Sequence, residues 1–187
     1  MKNFRRTDLT FSLCGLNCLL CPMRMGGHCP GCGGGEGNQS CALARCSLER
    51  GGLEYCASCP DYPCPRYSGL DRYDSFITHQ GRADSIRRFQ EIGPAAYRRE
   101  LEEKAALLQR LLLRCNAGRR KTFFTVAANL LGLEELRAAA EAADGLPAVQ
   151  ERERRAAEAL EKAARDRGVE LKLRRRPPGK KKNSEDT

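Results

Sequence analysis

The sequence predicts a chain of two unlike parts: a small cysteine-rich, metal-stabilised N-terminal module, followed by an all-α helical C-terminal region with little β structure. Three observations carry that expectation. Ten of the eleven cysteines fall between Cys14 and Cys64, while Ala, Leu, Arg and Glu dominate the second half. Trp is absent and aromatic residues make up only 6% of the chain, a composition that favours helix over sheet. Beyond the last of the ten cysteines, apolar residues recur at helical spacing. The expected divisions are residues 11–68 for the metal-binding module, 69–171 for the helical domain and 172–187 for a disordered basic tail.

The cysteines of the module read Cys14-x-x-x-Cys18-x-x-Cys21-Pro22, Cys29-Pro30-Gly31-Cys32-Gly33, Cys41, Cys46, Cys56-x-x-Cys59 and Cys64-Pro65. Cysteines two residues apart on a tight turn can aim both thiolates at one ion, and neighbouring glycine or proline frees backbone amides to point at the sulfurs. All ten, Cys14, Cys18, Cys21, Cys29, Cys32, Cys41, Cys46, Cys56, Cys59 and Cys64, are therefore candidate metal ligands. The segment's large apolar residues are mainly Leu16, Leu19, Leu20, Leu43, Leu48 and Leu53, too few for a self-sufficient core, so crosslinks must substitute for one. Disulfides would need an oxidising compartment. The N-terminus offers no good export signal: after basic residues 1–6 comes Asp8, and the weakly apolar run 10–20 contains Asn17 and no small-residue cleavage site. Reduced thiolates on metal are the expectation, in a soluble cytoplasmic protein.

The donor pattern favours zinc, about two ions, because Cys29-Pro30-Gly31-Cys32-Gly33 is the knuckle of zinc ribbons and short pairs tile into four-cysteine sites. The alternative is an iron-sulfur cluster with a redox or enzymatic role through Cys14, Cys18 and Cys21 and a fourth thiol. Their spacing is also that of radical S-adenosylmethionine enzymes, but the alternating strands and helices of such a barrel do not follow. His28, just before the knuckle, is either a ligand or a solvated neighbour. Which cysteines share a site stays open, and ten thiols leave two over from two four-cysteine sites.

Taken together, Cys14-Gly15-Leu16, Cys18, Cys21-Pro22, Cys29-Pro30-Gly31-Cys32, Cys46, Cys56, Cys59 and Tyr62-Pro63-Cys64 resemble the cysteine-rich domain of unknown function 3795 family over residues 11–66. Phe76 to Gln80, Glu91 to Pro94 and Gly118 to Phe124 resemble its longer members. Where such relatives carry a cysteine after the aromatic pair, this chain has Thr125. The resemblance implies a metal-binding domain, commonly taken to bind zinc, and supplies no reaction.

After Cys64 the pattern turns helical. Residues 83–92 read as a short helix ending at Gly93, and Pro94 opens the longest one, to about Cys115, with Tyr97, Leu101, Ala105, Leu108, Leu112 and Cys115 facing the core. Cys115 on that stripe reads as a small buried hydrophobe. Residues 122–131 form a strongly apolar helix broken by Gly132, residues 133–143 another, and residues 148–167 a last one. The last one's narrow, alanine-rich face predicts weak docking or an outward extension. Residues 168–173 read as a short strand.

The formal charge is +9, but it is uneven: residues 1–68 and 69–171 carry +2 each and residues 172–187 carry +5. Thiolates on zinc would turn the module negative, so nucleic acid is expected only non-specifically, through the tail. No apolar run approaches the roughly 20 residues that span a bilayer, and no nucleotide loop or catalytic constellation stands out. The expected role is a structural or protein-interaction module with an unidentified protein partner.

Overall fold

The structure, a computed structural model, describes residues 3–35 and 41–177. Among the described residues a loop-rich N-terminal third carries two short helices, α1 (Pro22–Met25) and α2 (Ala42–Glu49), and four longer ones follow: α3 (Arg82–Arg114), α4 (Lys121–Leu130), α5 (Leu133–Glu141) and α6 (Val149–Asp166). Single 3₁₀ turns at Cys18–Leu20, Cys56–Ser58 and Pro65–Tyr67 punctuate the cysteine segment. No strand occurs among the described residues. Residues 168–173, expected as a strand, have no neighbouring strand to pair with and run as an irregular segment instead.

α3 is the spine. Gly93, with φ 78° and ψ 165°, breaks it where the sequence places a helix end followed by an N-terminal proline. Beyond the break, the enclosed residues are Tyr97, Leu101, Lys104, Leu108, Leu111 and Cys115, steps of 4, 3, 4, 3 and 4. The stripe therefore keeps a 3.5-residue period, taking in Lys104 and Leu111 where the apolar pattern alone points to Ala105 and Leu112, both only half-buried. α4 and α5 pack on this face, and α6 packs most extensively on α5. The expectation of weak docking for α6 does not hold: Ala156, Ala157, Leu160 and Ala164 are buried, Leu160 completely. Alanines let two helix backbones approach closely, so a face poor in volume can still be well packed.

The cysteine segment shares the larger of its two apolar clusters with the helices. Phe11 and Tyr55 lie against Phe89 of α3 at ring-centroid distances of 5.2 and 4.5 Å, and Phe11 meets Tyr97 edge-on at 4.9 Å. With Leu20 and Ile86 these rings belong to the same apolar cluster as Leu136 and Leu160. Asn17 bridges the parts too, accepting from the Tyr97 hydroxyl at 2.8 Å and donating to Ser85 at 3.2 Å. A smaller cluster, Phe4, Leu13, Leu43 and Ala44, sits within the cysteine segment.

The start of the expected tail is held in place. The Arg174 amide donates to Asp74 Oδ2 at 2.7 Å, the Asp74 amide donates to the Arg174 carbonyl at 2.9 Å, and Gln80 donates to the Lys172 carbonyl at 2.9 Å. Residues 172–177 thus form a strap over residues 71–80. Residues 178–187, the rest of that tail, lie outside the described residues.

Candidate metal centre

The thiols are delivered by turns whose geometry the local sequence explains. In two of the Cys-x-x-Cys pairs the second cysteine's amide donates to the first one's carbonyl, at 3.1 Å for Cys21 to Cys18 and 3.0 Å for Cys59 to Cys56. Each pair is one 3₁₀ turn, which brings its two Cβ atoms to the same side. At the knuckle, Gly31 and Gly33 have φ of 97° and 88°, the left-handed region that glycine enters without strain. A Cβ on Gly33 would lie 2.7 Å from Arg6, so the position is closed to larger residues by contact as well.

Backbone amides point at the sulfurs. The Gly31 amide donates to Cys29 Sγ at 3.5 Å, and the nearby Cys32 and Leu13 amides favour the thiolate forms of Cys18 and Cys32 against the burial that raises both thiols. Such N–H to S contacts orient thiolates and offset their charge. Side chains add to this: Ser12 Oγ lies 3.3 Å from Cys14 Sγ, and Arg50 donates to Cys59 Sγ at 3.6 Å. The Tyr67 hydroxyl is buried beside Cys56 without a hydrogen bond of good geometry.

The thiols fall into two neighbourhoods. Cys18 feels the charges of Cys32, Cys14 and Cys21, and Cys32 those of Cys14 and Cys41. Cys56 feels Cys14, Cys64 and Cys46, and a cavity of about 420 Å³ is lined by Cys46, Cys56, Cys59 and Cys64 with Arg50, Tyr62 and Tyr67. Cys14 lies where the two meet, because the Cys56 amide donates to the Leu13 carbonyl at 2.9 Å. Burial pushes the Cys18 thiol up to about 12 and the Cys56 thiol up to about 11. Burial raises Cys32 as well, against the lowering pull of the Leu13 amide and of Arg6.

No disulfide joins any of the described cysteines. Among the described residues, no three His, Cys, Asp or Glu side chains converge closely enough to hold one ion as they stand. The donor set itself suits soft-metal chemistry, being all thiol with amides aimed at sulfur. Cys29 shares the knuckle with Cys32, and Cys41, at the N-terminus of α2, is exposed. His28 is exposed. Cys115 is buried in the helical core, remote in sequence from the other ten.

Two residues outside the cysteine pattern build this region. Arg6, whose side chain is 1% exposed, donates to the carbonyls of Glu54 at 2.7 Å, Phe11 at 2.9 Å and Cys32 at 3.1 Å. Asp8 accepts from the Tyr55 hydroxyl at 2.8 Å and the Thr10 amide at 2.8 Å. Both lie in a stretch that reads as a polar lead-in. Their only sequence signal is a pair of opposite charges flanking Thr7, which solvated termini share.

Comparisons with protein-family models, curated proteins and solved structures return no match.

Proposed function

We propose that residues 14–64 form a metal-binding module, with zinc as the metal, whose role is structural and whose partner is another protein. The observation that carries this reading is the set of thiols delivered on tight turns whose glycines occupy the left-handed region, with the Gly31 amide donating to Cys29 Sγ and the Cys32 and Leu13 amides beside Cys18 and Cys32. The resemblance to the cysteine-rich family, knuckle by knuckle, supports it. Cys14, Cys18, Cys21 and Cys32, with Cys29 and Cys41 at their edge, would hold one ion, and Cys46, Cys56, Cys59 and Cys64 a second. Bound there, zinc would supply a tetrahedral crosslink and no redox chemistry. The chain's own residues supply the rest: Arg6 fixes the knuckle to residues 11 and 54, and Phe11 and Tyr55 seat the module on α3.

The test is anaerobic purification, elemental analysis and an absorption spectrum. About two zinc ions per chain and a colourless protein are expected, from eight thiols in four-coordinate sites. A brown protein containing iron and sulfide would replace zinc with the iron-sulfur alternative, and a chain that binds neither metal would overturn both.

A further inference from the structure

The stripe that α3 turns toward the core contains one residue of the wrong kind. Lys104 falls between Leu101 and Leu108 and is buried with them, with 8% of its surface exposed. Its ammonium donates to the Leu131 carbonyl at 2.8 Å, just past the C-terminus of α4, where a positive charge is favourable. That contact uses one of three N–H donors. Among the described residues no carboxylate lies within ion-pair distance of it, although the cations around it are paired. Arg88 binds Glu100 at 3.0 Å, and Arg167 binds Glu135 at 2.7 Å. A buried ammonium without a counter-ion is costly, and most lysines avoid the situation.

There is room beside it. A cavity of about 510 Å³ opens between α3, the turn joining α4 to α5, and the stretch after α6, within the range of small-ligand sites. Leu130, Leu133 and Val169 give it an apolar wall, Gln80, Asn129 and Ser85 a polar one, and Asp84, Glu100, Glu134 and Glu135 also reach its lining. Burial lowers the Lys104 pKa, Glu100 and Glu135 raise it, and Arg167 and Arg88 lower it. Each carboxylate lining the cavity is itself held by an arginine, Asp84 by Arg87, Glu100 by Arg88, Glu134 by Arg137 and Glu135 by Arg167, so among the described residues lining it the ammonium is the cation left without a partner carboxylate.

We infer that this cavity binds a small organic monocarboxylate, whose carboxylate takes the spare N–H donors of Lys104 and whose apolar body lies along Leu130, Leu133 and Val169. One negative charge satisfies the one unmatched positive charge. A dianion such as phosphate would meet Glu100 and Glu135 across the same space, and an uncharged ligand would leave the ammonium as it is. No bond is made or broken in this step, and the site is independent of the thiols.

Isothermal titration of the full, metal-loaded chain with benzoate, butyrate and inorganic phosphate at matched ionic strength tests the assignment. Saturable binding of a carboxylate and none of phosphate is expected, weakened at least about tenfold by Lys104→Met, the order of a lost charge-assisted hydrogen bond. A second measurement needs no variant: reductive methylation of the wild-type chain with formaldehyde and cyanoborohydride, read by mass spectrometry, should be slowed by benzoate at Lys104 and unchanged at exposed Lys162. The inference is overturned by the absence of saturable carboxylate binding, by phosphate binding as tight as benzoate, by undiminished binding to Lys104→Met, or by methylation of Lys104 that benzoate does not slow.

Discussion

On the Asp8 carboxylate converge the Thr10 amide and hydroxyl, the Tyr55 hydroxyl and, at 3.9 Å, Arg98. Burial alone would raise its pKa, but these donors outweigh burial and hold it below the usual carboxylate value. The unfolded chain therefore binds more protons than the folded one between the depressed pKa and the ordinary value of about 3.9, and stability falls as pH drops through that window. Acid titration of wild type and Asp8→Asn should show a shallower acid limb for the variant; equal limbs would remove Asp8 from the balance. Arg6 invites a similar test. Lysine cannot reproduce a planar fork that reaches three carbonyls, so Arg6→Lys should cost about 1–3 kcal/mol in denaturant unfolding. Cys115→Ser should cost a similar amount, about 1–3 kcal/mol, because a hydroxyl replaces a buried thiol, and should leave the metal content unchanged. Neither Arg6 nor Asp8 was legible as structural in the sequence. A buried charge is recognisable only from the distant carbonyls and hydroxyls that the fold turns toward it.

Elements were more legible than partners. Gly93 followed by Pro94 marks the break in α3 because one residue leaves helical φ/ψ and the next lacks an amide that a helix start does not need. Gly93→Ala keeps its space, since nothing lies within 4 Å of the added Cβ, but the backbone there is open essentially to glycine alone. Its expected cost is therefore about 1–3 kcal/mol, all of it conformational, measurable as a lower melting temperature with an unaltered fold. The cysteine turns were equally readable, being local. Their grouping was not, since contacts between Leu13 and Cys56, 43 positions apart, decide which thiols are neighbours. α6 shows the limit of reading one face by its volume: the alanines at 156, 157 and 164 looked insufficient until Leu136, Ala139 and Ala140 of α5 were set opposite, also fully or almost fully buried. The same limit hid Lys104, which a search for apolar residues passes over.

At the scale of the molecule, the boundary expected near residue 68 separates compositions but not cores. Phe11, Leu20 and Tyr55 are in one cluster with the helices, so the two parts should melt together rather than in sequence. Phe11→Ala should remove about 3–5 kcal/mol from that shared transition, visible in helical circular dichroism although residue 11 is in no helix. If a chelator unfolds residues 14–64, the helical signal should weaken with them; two separated transitions would restore independent domains. The strap at residues 172–177 adds a matter of timing. A chain made from its N-terminus has its cysteine segment and α3 early, but Asp74 and Gln80 wait for Arg174 and Lys172, about a hundred positions behind them. Until those residues leave the ribosome, the stretch joining the cysteines to the helices is open to proteases and chaperones, and any pause in translation between α3 and residue 174 lengthens that exposure.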